Sequence, residues 1–135
     1  YFSSSFLCLF MLFSVELGYE NLDSYQRDMA RWKEYFIEIN DVMLSLLRNK
    51  MDRNQMYEWA SKHMTEDFGA INTVGIKIVE TIFKFGGDKE IINLVKCPTD
   101  YLKIHNRAAS NFNRSQKYNY PLYSPELLRT FDKKL

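Results

Sequence analysis

Two histidines, His63 and His105, stand in the 135-residue chain, and most routes to hydrolysis or metal binding would have to use one of them. His63 is followed by Glu66 and Asp67, so one metal ion could touch all three across a helix junction. Neither histidine belongs to a His-Glu-x-x-His or His-x-x-x-His pattern, which sets two imidazoles on one helix face, so no metal is expected. A partly buried histidine one turn from Trp59 accounts for His63 more simply. A calcium loop is not present either, because Gly86-Gly87-Asp88 lacks the flanking acids.

Nucleophilic catalysis needs Ser or Cys with a histidine, a carboxylate and usually a glycine-rich oxyanion turn. No Gly-x-Ser-x-Gly occurs, and five glycines leave little backbone for a phosphate-cradling loop. Cys97 has no neighbouring histidine and only Lys96 to lower its pKa, so it reads as a small hydrophobe before Pro98. Glu34 and Glu38 lie four apart on the polar face of a helix, where they repel mildly as solvated charges. The expectation is a chain with no catalytic residue and no cofactor. It is not expected to be an enzyme.

The elements that would position these groups are helical. Leu22, Tyr25, Met29, Trp32, Phe36, Ile39, Met43 and Leu46 recur at alternating steps of three and four, which predicts one helix from about Ser24 to Arg48. Tyr35, Val42 and Leu47 widen that apolar face beyond a two-stranded seam, favouring an intramolecular bundle and a monomer. Asp52 and Gln55 form a capping box for the next helix, whose inner face holds Met56, Trp59, Ala60 and His63. Thr65-Glu66-Asp67 is expected to cap a third, with Phe68, Ile71, Gly75, Ile78, Ile82 and Phe85 inward, ending at Gly86-Gly87. A short helix from Asp88 stops before Pro98, and Thr99 is expected to cap one that buries Leu102, Ile104 or His105, and Ala108 or Ala109. Ser110 to Asn119 reads as an exposed loop, within which Asn113-Arg114-Ser115 is a possible glycosylation acceptor. Ser124-Pro125-Glu126 starts a last short helix.

The fold class is therefore all-α, a single-domain bundle of five or six helices. It is expected to follow an N-terminal signal peptide. Phe6 to Phe13 is apolar throughout and too short to cross a bilayer, and Glu16 follows at once. With no Met or basic residue before that run, residues 1–18 read as a signal peptide that has lost its first residues. Residues 19–135 then form the domain, secreted to the extracellular space, with no stable membrane span. The net charge of +1 hides an asymmetry: Tyr19–Val95 carries ten Lys and Arg against thirteen acids, whereas Lys96–Leu135 carries eight against three. Arg107, Arg114, Lys117, Tyr118 and Tyr120 are thus candidates for a surface that meets a protein or glycan. A secreted chain rarely meets nucleic acid, and no nucleic-acid partner is expected.

Trp32, Phe36, Trp59 and Phe83 are the candidates for lining an apolar cavity, if the bundle is hollow. Trp59-Ala60-Ser61-Lys62-His63, the aromatic Tyr35-Phe36 before it and Tyr120-Pro121 near the end resemble the nematode SXP/RAL-2 (DUF148) family over Met29 to Phe131. The resemblance implies a small secreted helical protein that binds apolar small molecules or cations, and it supplies no catalytic residue. The function expected on these grounds is a secreted helical binding or interaction protein without catalytic activity. An extracellular carrier of small apolar ligands such as fatty acids is the alternative.

Overall fold

The three-and-four stripe builds two helices rather than one. The computed structural model, which describes residues 22–65, 68–117 and 119–132, has α1 over Leu22–Ala30 and α2 over Trp32–Leu47. At Arg31 the backbone leaves the helical basin (φ −98°, ψ 10°), and its N–H closes a tight bond to Asp28 O at 3.0 Å. The reason lies in tertiary structure. Asp28 is buried, and its carboxylate accepts from the Tyr35 hydroxyl at 3.2 Å and from the Gly69 N–H at 2.9 Å, across 41 positions of sequence.

Helix α2 ends in a left-handed cap at Asn49 (φ 53°). The Lys50 N–H reaches Ser45 O at 2.8 Å and the Asn49 N–H reaches Leu46 O at 3.2 Å, the paired bonds that satisfy a helix's last carbonyls. The capping box then forms in both directions: Gln55 N–H donates to Asp52 Oδ1 at 2.8 Å and Asp52 N–H donates to Gln55 Oε1 at 2.9 Å. It starts α3, Arg53–Thr65. Helix α4 spans Ala70–Lys96 and begins later than its sequence suggests, because Gly69 sits at φ 80° and Phe68 lies outside the helix. Gly87 (φ 71°, ψ −174°) kinks α4 where the glycine pair predicts a stop. Only its backbone conformation calls for glycine, since a Cβ there would meet nothing.

A 3-10 turn at Pro98–Asp100 leads into α5, Tyr101–Gln116, and α6 covers Pro125–Asp132. Thr99 does not cap α5; its hydroxyl lies 3.4 Å from the half-buried, free Cys97 Sγ. The segment expected as a loop over Ser110–Asn119 is mostly helix. Its Asn113 side chain explains why: it accepts the Tyr120 N–H at 2.7 Å and donates to Tyr120 O at 3.0 Å. Asn106, seven residues earlier on α5, does the same to Tyr123, at 2.8 and 2.9 Å. These two amides clamp the extended segment 120–123 along the helix. Ser124 caps α6 through its hydroxyl and the Leu127 N–H.

The architecture is all-α, with six α-helices and no strand among the described residues. None of the helices described is long and apolar enough to cross a membrane. The expected signal peptide lies outside the described residues, as do Glu66, Asp67 and Tyr118. The chain divides within α4 into two compact units, one reaching Ile76 and the other starting at Lys77. In the 22–76 unit Phe36 is fully buried, while Tyr25, Met29, Trp32, Ile39, Met43 and Leu46 are half-buried. The 77–132 unit has a drier interior of Ile78, Ile82, Leu94, Leu102, Ile104, Ala108, Ala109 and Leu127, all buried.

Candidate functional site

A concave site among the described residues lies in the 22–76 unit, in a half-open cleft of about 280 Å³. Three elements build it: Arg27 and Asp28 from α1, Tyr35 and Glu38 from α2, and Lys62 and His63 from α3. Arg31 at the helix break and Gly69-Ala70 at the start of α4 complete the wall. The break between α1 and α2 therefore belongs to the site.

Its centre is a histidine–carboxylate pair. His63 Nε2 lies 3.2 Å from Glu38 Oε1, and the Trp59 indole N–H donates to the same oxygen at 2.8 Å. Trp59 and His63, one turn apart on α3, pack against each other with ring centroids 4.6 Å apart and planes tilted by 41°. At the other wall Asp28 is held by Gly69 and Tyr35, and Arg27 Nε approaches its Oδ1 at 3.5 Å. Burial and the neighbouring Asp28 carboxylate both push the Tyr35 phenol above its usual range, so it stays a donor. Arg31 lies over the Tyr35 ring at 5.0 Å and donates to Glu34 at 2.9 Å, a hydrogen bond that raises the pKa of its guanidinium further.

The residues expected to line an apolar void are not brought together as one. Phe36 is in the core, Trp59 is committed to Glu38 and His63, and Trp32 carries the Lys33 ammonium 5.8 Å above its ring. Phe83 belongs to the other unit and is 59% exposed. The expected basic and aromatic surface is likewise dispersed. Arg107 pairs with Glu90 at 2.5 Å, Arg114 donates to Asn111 at 3.0 Å, Lys117 is the exposed left-handed cap of α5, and Tyr120 turns inward against Phe85 and Phe112. Asn113 has its amide engaged with Tyr120, so a glycan on that nitrogen would compete with the clamp.

His105 does not line the cleft. It is buried in the 77–132 unit, edge-on to Tyr123, with Nε2 3.1 Å from Pro121 O. Desolvation lowers its pKa to about 4, so it is a neutral packing residue at ordinary pH.

Residues 12–114 match the model of a family described as "Putative zinc dependent peptidase (DUF5700)". The chain belongs to this DUF5700 family. No curated protein and no solved structure matches it. The family match corrects three expectations. The resemblance to the nematode SXP/RAL-2 family does not hold, because its few dipeptide matches are outweighed by a match covering most of the chain. The reading as a binding protein without catalytic activity, and with it the expectation of no enzyme, gives way to a family described by a peptidase chemistry. The fatty-acid carrier has no support either.

The described residues do not fit a zinc ion. A catalytic zinc takes three protein donors and keeps a fourth position open. Among the described residues no group of three or more His, Cys, Asp and Glu side chains comes together, and His63 and Glu38 reach only two. Their facing atoms already meet each other, the Trp59 N–H occupies the same carboxylate oxygen, and Arg27, Arg31 and Lys62 line the same cleft. Three cations against two carboxylates, Asp28 and Glu38, in that cleft oppose a dication. Sequence reasoning placed Glu38 among solvated charges and overlooked it, since the partners that define its role lie 21 and 25 residues away. The Trp59/His63 spacing on α3 was the only local signal.

Proposed function

We propose that this DUF5700 chain serves a zinc-dependent peptidase as the part that holds the peptide, and that the cleft around Glu38 and His63 is where the peptide sits. The observation that carries this reading is that the family match at residues 12–114 encloses every residue lining the cleft. The chemistry of the lining agrees with it. A peptide backbone offers N–H donors and carbonyl acceptors; Glu38 can accept from the first, while Arg31 and Lys62 carry N–H donors for the second. No step of hydrolysis is assigned to a metal here, because the described residues assemble no zinc donor set. The apolar run Phe6–Phe13 is the basis for placing the activity outside the cytosol.

The test is titration of the full chain with an unstructured peptide, by calorimetry. Saturable binding that weakens at least tenfold in Glu38→Gln is the expected result. A folded chain that binds no peptide would refute the reading.

A further inference from the structure

We propose that the outward face of α4 beyond its kink rests on an anionic lipid surface, with Lys89 and Lys96 meeting the headgroups and Ile92 and Val95 the apolar layer beneath them. The face belongs to the 77–132 unit and the cleft to the 22–76 unit, so the proposal stands whether or not the cleft holds a peptide. In the limb 88–96 the exposed residues are Asp88, Lys89, Ile92, Val95 and Lys96, a spacing that gathers them on one side of a helix. The opposite side is committed inward: Leu94 is buried, and Glu90 accepts from the Arg107 guanidinium of α5. The limb is thus held as a helix before anything docks, which removes the ordering cost that a free amphipathic segment pays on binding. Ile92 is 52% exposed and Val95 74%, so two aliphatic side chains one turn apart form a small patch bordered by lysines. Phe83, on the limb before the kink, is a third large apolar side chain left mostly in water.

Charge selects the partner. Lys84, Lys89 and Lys96 are exposed, and none has a carboxylate partner among the described residues; Lys84 lies over the Phe85 ring at 5.5 Å. Asp88 is the one exposed acid over 83–96, so the face presents three cations against one carboxylate. All three cations are lysines. Protein interfaces are depleted in lysine and enriched in arginine and aromatic anchors, whereas a lysine stem lies along apolar surface while its ammonium meets a phosphate as a point charge. A second copy of the chain would bring this cationic face against itself. A helix of this kind lies on a bilayer rather than across it, and none of the helices described is long and apolar enough to cross one.

The experiment is sedimentation of the full chain with vesicles of phosphatidylcholine alone and of phosphatidylcholine mixed with phosphatidylserine. The mixed vesicles should bind about tenfold more tightly, and the difference should shrink as salt rises. Lys89→Gln and Lys96→Gln should each weaken binding to the mixed vesicles about fivefold, Val95→Ser should weaken it too, and Asp88→Asn should tighten it. All four side chains are exposed, so the helix content read by circular dichroism should not change. The apolar run Phe6–Phe13 could hold the chain to either bilayer, but such binding would ignore both the anionic lipid and the α4 substitutions. Equal binding to the two kinds of vesicle, or a preference that survives Lys89→Gln and Lys96→Gln together, would overturn the proposal. So would tighter binding of a poly-glutamate peptide than of the mixed vesicles, which would give the face to an acidic protein. A dimer in solution that Val95→Glu dissolves would overturn it as well, giving the face to a second copy.

Discussion

The two units treat buried polarity in opposite ways. In the 77–132 unit the inward polar groups named here are neutral and face partners: the half-buried Asn106 and Asn113 bond to backbone, His105 Nε2 lies against a carbonyl, and Tyr101 pairs with Tyr123, both phenols pushed up by burial. In the 22–76 unit a buried carboxylate, a histidine–glutamate pair and three cations collect around an opening. Burying charge costs several kcal/mol per ion unless partners offset it, and a hydrophobic replacement is often no less stable. The first pattern is what a scaffold needs. The second is an arrangement that stability alone would not require, and it is therefore the place to look for a ligand.

The sharpest way to break the comparison is pH. His105 falls from 6.5 to about 4 on folding, so between those values the unfolded chain binds a proton that the folded chain refuses. Stability present above pH 6.5 is then lost as pH falls, by about 2 kcal/mol at pH 5 and about 3 kcal/mol below pH 4. Urea midpoints at pH 7 and pH 5 measure the loss, and His105→Gln should flatten the slope between them.

Next in size is the clamp. Asn106→Ala leaves the backbone N–H and C=O of the buried Tyr123 without their amide partner and should lower stability by about 2 kcal/mol, read as a shift of the urea midpoint. Peptide binding at the cleft should survive that change under conditions where the variant is folded. Trp59→Phe reverses the pattern. It removes one hydrogen bond to a half-exposed carboxylate, about 1 kcal/mol of stability, but frees Glu38 and should alter peptide affinity measurably by calorimetry. The smallest effect belongs to Phe83→Ser, expected within about 0.5 kcal/mol because that ring is mostly exposed.

What sequence could show was local. The Asp52/Gln55 box, the Ser124-Pro125 start and an inward face of Leu102 with Ile104 or His105 and Ala108 or Ala109 each depend on residues within a turn or two, and each appears in the structure, which buries both members of both pairs. What it could not show was anything fixed from a distance. The stripe from Leu22 to Leu46 predicts a continuous helix, because nothing near Arg31 discloses that Asp28 is held by Gly69. Asn, Arg and Ser over 110–119 have the composition of a loop, and only the side-chain pairing of Asn113 with Tyr120 shows why the helix continues. The candidate site was hidden for the same reason. His63 was visible as a titratable group beside Trp59, but the glutamate facing it comes from another helix, and its own helix spacing made it look like solvent-exposed charge.

Photocrosslinking tests the central claim most directly. A peptide carrying a diazirine, irradiated with the full chain and mapped by mass spectrometry, should label residues 27–38, 62–63 and 69–70, and an excess of the unmodified peptide should suppress the labelling. Labelling confined to the 77–132 unit would contradict the assignment of the peptide to the Glu38–His63 cleft.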